Sequence, residues 1–184
     1  GKLSKKPKII PPFHLLKTNL AVIRKRKDFL YAGRLQDGKG VEELIAAWMK
    51  LSPEFRKNQN LLLAGTDTIT STGCSFKEYL LSKYHLDQEP SVKFLGAISN
   101  NKVLKLMSRV RTFVFISKIE NYPTAVYEAL ANGMIVIGSK GTGVEEILTD
   151  FCYPNTLFQE SNQSLTKLLI KASKMQLKRY RFDF

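Results

Sequence analysis

The sequence predicts an α/β domain in which a parallel sheet is covered by helices on both faces. Five short apolar runs, rich in β-branched or aromatic residues, read as strands buried on both sides. Helical patterns fill the gaps between them, and strand–helix alternation at this spacing belongs to parallel sheets. The chain has 184 residues with 43% hydrophobic content, enough for one domain with a real core.

Along the chain, the strand-like runs are Phe29–Ala32, Leu61–Ala64, Val92–Leu95, Thr112–Ile116 and Met134–Gly138. After the first run, Val41–Leu51 carries apolar residues at 41, 44, 45, 48 and 51, the stripe of a helix with one buried face. Helical segments follow at Phe76–Tyr84, Lys102–Met107 and Pro123–Ala131, with a weaker one at Val144–Leu148. Residues 161–176 read as a last amphipathic helix on the flank. No internal repeat or low-complexity tract interrupts the pattern.

Charge is segregated. The formal net charge is +13. Residues 1–27 hold nine basic side chains and no acid, residues 28–160 fourteen basic and fifteen acidic, and residues 161–184 six basic and one acidic. The body is therefore neutral and the ends are basic. A nucleic-acid-binding domain would carry its basic stripe on the folded surface with groove-reading motifs, and none is present, so no nucleic-acid partner is expected. The ordinary reading of the ends is solvated surface; contact with anionic lipid or an acidic partner is the other. No apolar run approaches a membrane span, and the start lacks the pattern of a secretory signal. Cys74 and Cys152 lack metal-ligand spacing and read as free thiols in a reducing compartment. The opening Lys-rich run into Ile9-Ile-Pro-Pro-Phe13 reads as part of a longer chain.

Ligands of open parallel sheets collect at the carboxyl ends of the strands, so strand-to-helix turns are the places to search. The turn after the first strand, Gly33-Arg-Leu-Gln-Asp-Gly-Lys-Gly40, combines glycines that allow close backbone approach with two cations, Arg34 and Lys39. Arg offers a planar fork to phosphate oxygens and Lys a mobile point charge. The loop is neither a P-loop nor a dinucleotide fingerprint. Taken alone it is equally a surface turn.

After the fourth strand comes Glu120-Asn-Tyr-Pro-Thr-Ala-Val-Tyr-Glu128. Pro123 suits the first turn of a helix, leaving the N–H groups of Thr124 and Ala125 as donors at its positive end, a natural phosphate site. Val126, Ala129 and Leu130 form the core face. Thr124 and Glu128 lie four apart on another face, which aims Glu128 along a cleft rim where it can accept bonds from vicinal hydroxyls. Glu120 would overhang the mouth. The arrangement suits a nucleotide-sugar, although a helix-dipole carboxylate at 120 and a surface salt bridge at 128 are the plain alternatives.

The motifs FLYAGRLQDGKG, LLLAG, VKFLGAIS, ENYPTAVYEALANG and MIVIGSKGTGVEEIL, in this order over residues 28–150, resemble the donor-binding C-terminal half of family 4 glycosyltransferases, retaining enzymes of the GT-B fold. The resemblance implies a single Rossmann-like domain and a UDP- or GDP-sugar donor. It implies that Arg34 and Lys39, with Gly33, Thr124 and Ala125, hold the diphosphate and leaving nucleotide. Glu128 would hold the ribose, and Glu120 would orient the donor sugar or stabilise charge at its anomeric carbon. More weakly, Gly96, Ala97 and Ile98 would line the base pocket. Catalytic roles would fall to Glu120, Arg34 and Lys39. The family works without a bound metal, in line with the lack of an Asp-x-Asp triplet, so no cofactor or metal is expected.

The same resemblance divides the chain into a Pro-containing interdomain linker at 1–27, the nucleotide-sugar domain at 28–160, and a basic helix and tail at 161–184. The acceptor would bind mainly to an N-terminal half that this chain lacks, and the basic helix would pack toward that half. The implied acceptor is a polysaccharide or glycolipid, and the implied location is the cytoplasm, including the inner face of the membrane. The isolated chain should then bind donor better than it transfers sugar. A binding module that kept the fold and lost transfer is the alternative.

Overall fold

The computed structural model describes residues 26–118, 123–150, 156–159 and 164–176. Glu120, Cys152, most of the expected linker and the end of the tail lie outside them.

Six strands form one all-parallel sheet in the order β3-β2-β1-β4-β5-β6. The strands are β1 (Arg26–Ala32), β2 (Leu61–Ala64), β3 (Val92–Gly96), β4 (Val110–Phe115), β5 (Ile135–Ser139) and β6 (Leu157–Phe158). The helices are α1 (Val41–Met49), α2 (Pro53–Lys57), α3 (Phe76–Tyr84), α4 (Asn100–Arg109), α5 (Thr124–Ala131), α6 (Gly143–Asp150) and α7 (Leu165–Lys174). The predicted fold class is the one observed.

The continuous apolar runs have a direct physical cause. Successive strand side chains point to opposite faces, and both faces are covered along β1, β2, β4 and β5. β3 lies at the sheet edge with Lys93 exposed and Phe94 and Leu95 only partly buried, so the expected burial on both sides fails there. Phe29, Tyr31, Leu61, Leu63, Ile135 and Ile137 join one core with α1, α3 and α7. Leu30, Leu62, Phe113 and Val136 join a second with α4, α5 and α6. Trp48 is the largest fully buried side chain, edge-to-face with Phe29 at 5.3 Å and donating from Nε1 to Ser91 Oγ at 2.9 Å.

Besides a 3-10 turn at Leu86–Gln88, two elements were not anticipated. α2 is started by Ser52, whose hydroxyl accepts from Phe55 N, with Pro53 at the first helical position. β6 has two residues and pairs with Gly138 and Ser139. The expected 161–176 helix is observed as α7. Leu165, Leu168, Leu169 and Ala172 are buried in the first core, so its apolar face is used within this domain rather than kept for another.

Candidate functional site

Strand order turns back between β1 and β4, the neighbouring strands whose connections leave in opposite directions. A crevice opens there at the carboxyl ends, as it does in doubly wound sheets. A cleft of about 240 Å³ occupies this point, and Gly33, Arg34, Lys39, Pro123, Thr124 and Ala125 line it. Every predicted diphosphate contact thus falls in one cleft, from two segments about ninety residues apart in sequence.

The first wall is held rigidly. Gly33 N donates to Ala64 O at 2.9 Å and Leu35 N to Thr66 O at 2.9 Å, tying the loop to the turn after β2. Tyr31 folds back under the loop and donates from its hydroxyl to Arg34 O at 2.8 Å. Burial, with the Glu43 carboxylate nearby, pushes the Tyr31 phenol far above its ordinary range, so it remains a donor. Leu35 is buried as an anchor, while the Arg34 side chain stays exposed and forms no ion pair among the described residues. Gly40 ends the loop at φ 76°, and a Cβ there would lie 2.3 Å from Ile116 O. Only glycine lets α1 begin this close to the end of β4. Lys118 N donates to Gly38 O at 3.1 Å, joining the loop to the segment after β4.

The second wall is the N-terminus of α5. Pro123 takes the cap position without a side-chain cap bond, and the first turn carries no acid. The leading N–H groups and the positive end of the helix dipole are thus left for an anion.

Glu128 does not line this cleft. It is half-buried one turn further along α5, bonded to the Asn100 side chain at the start of α4. Burial pushes its carboxyl above the ordinary range, and the Asn100 bond partly offsets that. Gly96, at φ 66°, Ala97 and Ile98 form the turn that leads from β3 into α4, so Asn100 links them to Glu128. The cleft thus gathers the expected diphosphate residues, while Glu128, Gly96, Ala97 and Ile98 do not line it. Glu120 lies outside the described residues. Sequence reasoning missed Tyr31, which reads as one more apolar strand position, and Asn100, which reads as a surface residue.

A parallel sheet with a ligand cleft at its topological switch point defines the class as Rossmann-like α/β. Within it the chain belongs to the family described as glycosyl transferases group 1, whose sequence model matches residues 16–183. The resemblance read from the five motifs thus holds at the level of the family. The chain is 32% identical over 123 residues to an uncharacterized glycosyltransferase of Methanocaldococcus jannaschii, a match covering 66% of this chain and 29% of that protein. Its fold is similar to WaaG, a glycosyltransferase involved in lipopolysaccharide biosynthesis, with TM-score 0.66 and 23% identity over 83% of this chain and 39% of that one. It is similar too to an E. coli trehalose-6-phosphate protein solved with UDP-2-fluoro glucose, with TM-score 0.66 and 12% identity over 81% and 36% of the two chains. The chain thus corresponds to well under half the length of these relatives. No described helix is long and apolar enough to cross a membrane.

Proposed function

We propose that the chain is the donor-binding half of a retaining glycosyltransferase that takes a UDP- or GDP-sugar and transfers the glycosyl group to a polysaccharide or glycolipid. The observation that carries this reading is the meeting of Arg34 and Lys39 with the uncapped end of α5 in one cleft. Breaking the glycosidic bond to a nucleoside diphosphate leaves negative charge on the departing phosphate. An Arg fork, a Lys ammonium and helix N–H groups fixed in advance stabilise that charge without a metal. Glu128 then receives the ribose hydroxyls, the Gly96–Ile98 turn lies under the base, and Glu120 orients the sugar. A solved fold neighbour named with UDP-2-fluoro glucose supports a nucleotide-sugar donor. One named for lipopolysaccharide biosynthesis supports a glycan acceptor. In this reading an acceptor-binding half completes the enzyme, and the basic ends would favour contact with an anionic membrane face.

Thermal unfolding with a panel of nucleotides tests this. A ligand that binds only the native state raises the melting temperature by mass action. UDP or GDP should raise it, and the matching nucleotide-sugar should do so at least as well. Glu128→Gln should weaken the response to bare nucleotide, whereas Glu120→Gln should weaken only the preference for the sugar-bearing form. A panel in which no nucleoside diphosphate moves the transition would remove the reading.

A further inference from the structure

A second cleft, of about 390 Å³, lies at the carboxyl ends of β4 and β5 and shares Ile116 with the first. Glu43, Lys118, Ser139, Lys140 and Gln159 line it. Nothing in the donor reading uses it.

Ser139 is only 8% exposed. Its carbonyl accepts from Thr142 Oγ1 at 3.1 Å, but its hydroxyl has no hydrogen-bond partner among the described residues. The hydroxyl is not walled off from solvent; it opens on the cleft, where it is placed to bond a bound group. The charges say what kind of group it is. Lys118 Nζ lies 3.0 Å from Glu43 Oε1, so that ammonium is already matched. Lys140 is exposed and has no ion pair among the described residues. Its main chain is fixed, N donating to Phe158 O at 2.8 Å, so the residue is anchored at the rim while its ammonium stays available. The nearby Glu145 is turned to Gly141 N at 2.8 Å and does not line the cleft. One unmatched cation and one unmatched hydroxyl fit the oxygens of a single acidic group.

The geometry points to this cleft as a subsite for a carboxylate or phosphate carried by the acceptor sugar, held by Lys140 and Ser139 beside the donor cleft. The inference rests on the donor reading, which puts the scissile bond on the other side of Ile116. An acceptor tethered by its acid group in the adjoining cleft has its hydroxyl kept near the reacting carbon, and positioning of that kind is a major source of rate. The substrate class is thus an acidic saccharide rather than a neutral one.

Calorimetric titrations on the chain saturated with UDP decide it, with glucose 6-phosphate, glucuronate, glucose and inorganic phosphate as probes. At least one acidic sugar should bind about tenfold or more tightly than glucose, the scale of one charge-assisted hydrogen bond. Lys140→Ala and Ser139→Ala should each reduce that preference and leave UDP affinity unchanged. Acidic sugars no tighter than glucose, or a preference that survives both substitutions, overturn the subsite. Inorganic phosphate binding as tightly as the sugar phosphate would reduce it to a bare anion site and overturn it as well. A Lys140-dependent preference for UDP-glucuronate over UDP-glucose would assign the group to the donor, against the proposal. Failure of UDP itself to bind sinks the donor reading instead, a separately read result.

Discussion

Burial beside α4 pushes the Glu128 carboxyl above its ordinary range, and the Asn100 hydrogen bond offsets this only in part. A raised folded-state value means that the native protein holds its proton longer than the unfolded chain does. The resulting stability is present at acid pH and is lost as pH rises through the folded value. Glu128→Gln should therefore match the parent near pH 4 and be the more stable of the two at pH 7. Urea unfolding at both pH values reads this, and an equal effect of the substitution at both would show that the carboxyl is not strained by burial. Under the proposed function, ribose hydroxyls would donate to the carboxylate and favour its ionised form, so nucleotide affinity should fall as pH falls through the same value. Gly40 is a residue whose identity is forced by close approach and by its backbone. Gly40→Ala puts a Cβ 2.3 Å from Ile116 O at φ 76° and should cost about 1–2 kcal/mol or more. Because the same residue starts α1 and closes the cation loop, nucleotide binding should weaken with it. Thermal unfolding that leaves this variant level with the parent would contradict the close approach.

Each strand that packs on both sides was legible in the sequence, because burial on both faces requires an unbroken apolar run. Leu61–Ala64, buried at every position, is the plainest case. The stripe at Val41, Leu44, Ile45 and Trp48 was legible for the corresponding reason in a helix, and all four are buried. Elements that depend on pairing rather than on pattern were not. β6 exists because Leu157 and Phe158 reach Gly138 and Ser139, which two residues cannot announce. In the site, Arg34, Lys39 and the α5 start were visible because glycine, proline and charge mark turns by themselves. Tyr31 and Ser139 matter only through what the fold sets beside them. α1 and α3 are joined by Glu42, which accepts from Lys83 Nζ at 2.6 Å and from Tyr79 Oη at 3.1 Å. Partial burial would raise this carboxyl, but the bonds from Lys83 and Tyr79 prevail and lower it. The tie is solvent-exposed on the Lys83 side, so Glu42→Gln should cost no more than about 1 kcal/mol. That loss should shrink as pH falls and the carboxylate is protonated in both states. A cost that grew toward acid pH would contradict the assignment.

The described residues form one sheet with two cores, and α7 closes the first of them. Leu169 is fully buried there, so Leu169→Ala should cost roughly 2–5 kcal/mol in denaturant unfolding. A negligible cost would contradict the packing of α7 on the first core. The two cores fix β1 and β4 side by side, and this alone brings Arg34 and Lys39 to the end of α5. Whether this cleft holds a nucleoside diphosphate, as proposed, is decided by calorimetric titration of UDP and GDP into the parent chain, Arg34→Ala and Lys39→Ala. Each substitution should weaken binding by about 1.5–3 kcal/mol, the scale of charge-assisted hydrogen bonds, with the melting temperature of the free protein unchanged. Parent-like affinity in both variants would contradict the account.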